Sequence, residues 1–107
     1  MNTRSSHELL IGLHVTDDAR YTRYREGMTP ILHQYGGSFR YDFRIAEVLK
    51  AETNDPINRL FILSFPNARA KDAFFADEEY QKVKREFFEG AVQAVQALAE
   101  YVRKLES

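Results

Sequence analysis

Two histidines and a run of alternating charged residues carry side chains that could do chemistry. Imidazole titrates near neutral pH, so His14 and His33 are suited to exchanging a proton with a substrate. Arg40, Asp42 and Arg44 alternate along the chain, and on a strand they would share one face. Such a face could recognise a carboxylate or an enolate oxygen, with Asp42 orienting an arginine. We take His14, His33, Arg40 and Arg44 as candidate catalytic residues.

Each of these candidates also has a structural alternative. His14 could be a hydrogen-bonded histidine at a subunit interface, and a cationic His33 could stabilise a helix C-terminus. The charged run from Arg40 to Arg44 could be an exposed or interfacial ladder with cross-strand partners. The histidines lack the spacing of a metal site, so we predict neither a metal nor a cofactor.

Aromatic residues are abundant, with six tyrosines and eight phenylalanines. Tyr21 and Tyr24 lie on one face of a predicted helix, and Tyr41 lies on a predicted strand beside Asp42. We predict that these four residues contribute to a site for a small apolar or aromatic molecule between helices and sheet. The alternative is that the aromatic residues form an ordinary core.

Composition excludes several classes of protein. The net charge of −1 gives no basic footprint for nucleic acid, and no apolar run approaches the ~18 residues of a membrane span. The basic cluster at Lys82, Lys84 and Arg85 is balanced by neighbouring glutamates, which predicts a solvated face. The chain has no cysteine, which excludes disulfides and thiol chemistry and fits a cytoplasmic location.

Apolar periodicity predicts the order of elements. Strands are expected at about 8–15, 39–45 and 60–65, with helices after the first and the third. Phe39, Tyr41 and Phe43 are expected on one face of the second strand, opposite the charged run. The segment 92–105 is open to two interpretations, because its spacing favours a helix while the unpaired sheet edge favours a strand. Residues 1–7 are predicted to be a flexible tail ahead of a single domain at 8–107.

Several short motifs, taken in order, resemble a known family. They are Val15-Thr16-Asp17 with Tyr21 and Tyr24, then Tyr35-Gly36-Gly37-Ser38-Phe39, the Leu60–Phe65 strand ending in Phe65-Pro66, and Ala76-Asp77-Glu78-Glu79-Tyr80-Gln81. Together they resemble domain-of-unknown-function family 1330, within the dimeric α/β-barrel superfamily, over about residues 9 to 90.

The resemblance implies a fold and an assembly. The fold is α+β and ferredoxin-like, βαββαβ with a four-stranded antiparallel sheet, and places the last strand at about 96–104. The assembly is a homodimer that pairs through its sheet faces. The resemblance implies no reaction.

Three functions therefore stay open. The first is a small soluble homodimer that binds a small molecule. The second is a cofactor-independent enzyme of the monooxygenase or isomerase type, acting on an aromatic or enolisable substrate, in which a histidine and an arginine meet at one cavity. The third is a module whose role is to dimerise.

Overall fold

The computed structural model describes residues 4–105. It contains, in chain order, β1 (Arg4–Val15), α1 (Asp18–Gln34), β2 (Ser38–Arg44), β3 (Arg59–Phe65), α2 (Ala68–Ala76), α3 (Glu78–Val83) and β4 (Val92–Leu105). A π-helical turn, Lys84–Phe88, continues α3. The predicted α+β order is confirmed, with the second helical region divided in two.

The four strands form one antiparallel sheet in the order β2-β3-β1-β4. Residues of β1 alternate between its two faces, so Leu9, Leu13 and Val15 are buried against the helices. Tyr21 and Leu32 of α1 are fully buried in the same core. The helices therefore cover one face of the sheet, and the opposite face, which we call the open face, carries no helix.

Short sequence signals set the ends of the helices. The side chains of Asp17, Asn67 and Asp77 each accept a hydrogen bond from a backbone N–H at the start of a helix. Gly36 ends α1 with φ of 74°, a conformation in which a Cβ would be strained. These local signals fix where α1 returns to the sheet as β2.

The first and last strands along the chain, β1 and β4, are longer than predicted. Residues 4–7, predicted as part of a flexible tail, belong to β1 and pair with β4. The segment 92–105 is a strand, which settles the choice between helix and strand and extends the predicted 96–104. Its helix-like spacing has a physical cause, because register shifts against β1 leave Gln93 and Leu98 as extra residues. Val92 and Val95 thus lie three apart yet pair with Val15 and Leu13.

A bulge at Arg40 changes the faces of β2. Phe39 pairs with Leu63 and Tyr41 pairs with Ile62, so Arg40 is an extra residue between them. Phe39 packs on Phe61 in the helix-covered core, whereas Tyr41 lies with Ile62 on the open face. The predicted common face for Phe39 and Tyr41 is therefore wrong, since the bulge reverses the alternation between them.

A buried carboxylate on the open face connects all four strands. Glu8 of β1 is completely buried. It accepts hydrogen bonds from Ser6 Oγ (2.8 Å), Arg40 Nη1 (2.9 Å), Ser64 Oγ (2.9 Å), Tyr101 OH (2.9 Å) and Arg103 Nε (3.1 Å). These donors come from β1, β2, β3 and β4, so one side chain ties the register of the whole sheet.

The hydrogen bonds decide the charge state of Glu8. Burial by itself raises the pKa of this carboxyl group, but donors from Ser6, Ser64, Tyr101 and Arg103 outweigh burial and lower the pKa to about 2. The glutamate is therefore ionised at neutral pH, and its charge is compensated by Arg40 and Arg103.

Replacing this carboxylate should destabilise the sheet. In Glu8→Gln, the amide NH₂ would face hydrogen-bond donors, and Arg40 and Arg103 would lose their negatively charged partner, so we expect a loss of about 3 kcal/mol in unfolding free energy at pH 7. Urea denaturation at fixed protein concentration measures it. Glu100→Gln is the control, because Glu100 is an exposed surface residue and should cost about 1 kcal/mol or less.

The pH dependence supplies a second readout. The folded pKa of Glu8 lies below its ordinary value of 4.5, so its stabilisation is fully present above about pH 4.5 and is lost as pH falls towards 2. The stability difference between wild type and Glu8→Gln should therefore shrink over that window. An equal difference at pH 7 and at pH 2.5 would contradict this account.

Candidate functional site

A cavity of about 150 Å³ lies between the sheet and the helices. Its sheet side is apolar and consists of Ile11, Leu13, Phe39, Phe61, Leu63 and Val95. Its helical side is mainly aromatic and consists of Tyr21, Tyr24, Met28, Phe75, Tyr80, Lys84 and Phe88. An apolar cavity of about 150 Å³ can hold a benzene-sized molecule. The dimensions and lining therefore suit one aromatic ring.

Three of the lining residues are tyrosines, and their hydroxyls are hydrogen-bonded. The hydroxyls of Tyr24 and Tyr80 lie 2.8 Å apart and share one hydrogen bond. Tyr21 OH accepts a hydrogen bond of 2.9 Å from Arg25 Nη1. Burial raises the pKa of all three tyrosines, most strongly that of Tyr24. They are therefore neutral near pH 7 and act as hydrogen-bond donors or acceptors rather than as bases.

Charged side chains pack beside the cavity. The Arg25 guanidinium lies over the ring of Phe39, 3.8 Å from its centroid, and pairs with Asp42. Arg59 contacts Asp42 at 3.5 Å and lies 5.0 Å from the Tyr21 ring centroid. Asp42 thus orients arginines, as predicted for this residue, but they are Arg25 and Arg59 rather than its neighbours in β2. The cluster packs against the outer side of the aromatic wall.

The predicted charged face of β2 does not exist as one surface. The bulge leaves Arg40 on the open face with Glu8, while Asp42 and Arg44 point towards α1. Arg44 is exposed and contacts Asp18 at 3.2 Å. The interpretation of three charges sharing a face is therefore wrong, because a uniform alternation was assumed across Arg40.

Of the predicted ligand residues, two line the cavity. Tyr21 and Tyr24 are buried in its wall. Asp42 does not line the cavity and pairs with Arg25 and Arg59 beside it. Tyr41 is half-exposed on the open face, where it stacks on Phe43. The bulge at Arg40 separates Tyr41 from the other three.

The histidines do not meet the arginines. His14 and Arg40 both lie on the open face, but Arg40 holds Glu8, six residues from His14 along β1, which corresponds to about 20 Å. His33 is exposed near the C-terminus of α1, and neither histidine lines the cavity. In the described residues, His14 Nδ1 is buried without a hydrogen-bond partner. The structure therefore does not bring a histidine, an arginine and a tyrosine together.

The sequence did not identify three residues that hold the sheet together or line the cavity. The sequence holds one weak indication that Glu8 faces the sheet: Ser6, Glu8 and the apolar Leu10 alternate along β1 and therefore share one face. Tyr80 is named above only within a family motif, whereas it is buried and lines the cavity. Lys84 was assigned to a solvated face, whereas it is half-buried and lines the cavity. Lys84 lies one helical turn after Tyr80 and shares its face, which the balanced charges of the segment did not indicate.

Among residues 4–105, no group of three histidine or acidic side chains could hold a metal ion. None of the helices in this range is long and apolar enough to cross a membrane.

The family model described as "Domain of unknown function (DUF1330)" matches residues 9–103. No curated protein matches the chain. The fold is similar to a protein of unknown function from Rhodopseudomonas palustris, with a TM-score of 0.76 at 15% identity over 99% of this chain and 87% of that one.

Two further solved structures share the fold. A NIPSNAP-like domain protein from Burkholderia xenovorans has a TM-score of 0.63 at 13% identity, covering 99% of this chain and 89% of its own. A dabb family protein with a ferredoxin-like fold from Mesorhizobium loti has a TM-score of 0.55 at 14% identity, covering 99% and 100%. The predicted family and the ferredoxin-like fold are both confirmed.

The tyrosine pair predicts a measurable coupling. In Tyr24→Phe or Tyr80→Phe, the remaining hydroxyl is left buried without its partner, so each should cost about 1–2 kcal/mol of unfolding free energy. The double variant removes both hydroxyls and should cost less than the sum. Urea denaturation of the four proteins completes the cycle. Additive losses would mean that the two hydroxyls are not coupled.

Proposed function

Because the chain belongs to the DUF1330 family, whose description assigns no activity, we propose its function from its own site: a homodimer that binds a small apolar or aromatic molecule between helices and sheet. The observation that carries the proposal is the cavity of about 150 Å³ lined by three tyrosines and several phenyl rings. A concave apolar site with a few placed hydroxyls is the usual form of a small-molecule pocket.

The catalytic alternative has less support. A cofactor-independent oxygenase or isomerase needs a base beside its substrate, and neither His14 nor His33 lines the cavity. Arg40 is engaged by Glu8 and Arg44 by Asp18, both away from the cavity. The tyrosines on the wall are neutral donors. We therefore propose binding and do not extend the proposal to a reaction.

The open face of the sheet supports the dimer. It carries the half-exposed apolar residues Tyr41, Phe43 and Leu98. The loop between β2 and β3 adds Leu49, which is 89% exposed, and with Leu60 and Leu98 it borders an apolar groove of about 660 Å³. The protein measures 46 × 34 × 17 Å, so this face is broad enough for the ~800 Å² that each partner buries in a stable interface.

Ligand binding is tested with benzyl alcohol, a single neutral ring. We expect the wild type to bind it with a Kd of about 1 mM or below, measured by calorimetry and by NMR shifts of cavity residues. Val95→Trp should fill the mouth of the cavity and abolish binding.

Val102→Trp is the matched control for this experiment. Val102 lies on the same strand and the same side of the sheet as Val95, it is similarly exposed, and it does not line the cavity. Its variant should bind like the wild type. The proposed site would be refuted if the wild type did not bind benzyl alcohol, or if Val95→Trp bound it with the same affinity.

The assembly is tested separately by sedimentation velocity. We expect the wild type to sediment at twice the chain mass of 12.5 kDa at micromolar concentration. Phe43→Glu places a charge in the apolar open face and should shift the protein to monomer, whereas Val102→Glu on the helix-covered side should not. A monomeric wild type would contradict the dimer.

A further inference from the structure

We infer that the ligand of the cavity is an aromatic carboxylate, whose ring lies among the tyrosines and whose charge is bound by Lys84. The inference rests on the proposed function, because it names the chemical class that the same cavity would take.

Lys84 is the first observation. Of the described residues that line the cavity, it alone is charged. Lys82 contacts Glu79 at 3.5 Å, and Lys71 contacts Glu100 at 2.9 Å, but within residues 4–105 Lys84 makes no ion pair. The Lys84 side chain is half-buried along the cavity wall, which holds its ammonium beside the cavity and available to an anion.

Helical spacing explains why Lys84 reaches the cavity. The N–H of Lys84 donates to the carbonyl of Tyr80, an ordinary α-helical bond, so the two side chains lie one turn apart on the same face. The π turn follows this bond, since the N–H of Glu89 donates to the carbonyl of Lys84 at 3.1 Å. Tyr80, Lys84 and Phe88, spaced by four, all line the cavity.

The tyrosine pair supplies the second polar contact. Two hydroxyls that share one hydrogen bond use one proton, so the pair of Tyr24 and Tyr80 keeps a second proton to donate. Within the described residues, neither hydroxyl has another partner. Tyr80 lies one turn before Lys84 on the same face. A carboxylate placed there would accept from a hydroxyl and from an ammonium, a charge-assisted arrangement.

The size of the cavity limits the rest of the ligand. About 150 Å³ accommodates one ring and a short substituent, and the wall away from Lys84 consists of aliphatic and aromatic side chains. The chemical class is therefore a benzoate or an arylacetate rather than a large polycyclic or a sugar acid.

The test compares benzoate with benzyl alcohol, which differ mainly in the negative charge. Calorimetric titration of the full-length wild type should give a Kd for benzoate about tenfold lower than for benzyl alcohol. Lys84→Met keeps the approximate length of the side chain and removes its charge, so its Kd for benzoate should be no lower than its Kd for benzyl alcohol. Lys84→Arg should keep the preference.

Lys82→Met is the matched control, because Lys82 lies on the same helix, is exposed and pairs with Glu79. It should bind both probes like the wild type. Equal affinity of the wild type for the two probes, or a preference for benzoate that survives in Lys84→Met, would overturn the inference and leave the apolar site intact. Binding of neither probe by the wild type would refute the proposed function, and the inference with it.

Discussion

The carboxylate of Glu8 must stay saturated with hydrogen bonds, because it is completely buried and ionised. Its donors come from every strand, and this requirement fixes Ser64 and Tyr101 directly opposite it on β3 and β4. It also holds Arg40 on the open face. A slip of one residue in any strand would point a donor away from the carboxylate and leave a buried charge without compensation.

The position of Arg40 connects this constraint to the cavity. Since Arg40 is the extra residue of a bulge, Phe39 before it enters the helix-covered core and Tyr41 after it lies on the open face. Phe39 becomes part of the cavity lining and the surface on which Arg25 packs. Tyr41 and Phe43 become exposed apolar surface instead. One irregularity in β2 therefore contributes both to the cavity lining and to the exposed apolar surface of the open face.

Sequence patterns predicted what depends on near neighbours. The order of strands and helices along the chain follows from apolar periodicity, and the start of α2 at Asn67 and the end of α1 at Gly36 depend on residues within one or two turns. The bulges at Arg40 and Leu98 were missed because the register of a strand is decided by its partner, which lies far away in sequence. For this reason Arg40 lies on the open face, whereas Asp42 and Arg44 lie on the side of α1. The partners of Glu8 lie up to 95 residues away, so no local pattern could identify it as the centre of the sheet.

Lys82 and Lys84 occupy different faces of one helix. Both belong to one charged segment, yet Lys82 is exposed and Lys84, one turn after Tyr80, lines the cavity. The cavity then presents one ammonium and the spare proton of a tyrosine pair, with no imidazole or unpaired carboxylate on its wall among the described residues. These groups offer a ligand hydrogen-bond donors and one positive charge, but none of them is a base that removes a proton near neutral pH. Its chemistry is that of holding an acceptor in place, which is why binding of an anion accounts for this site better than proton abstraction does.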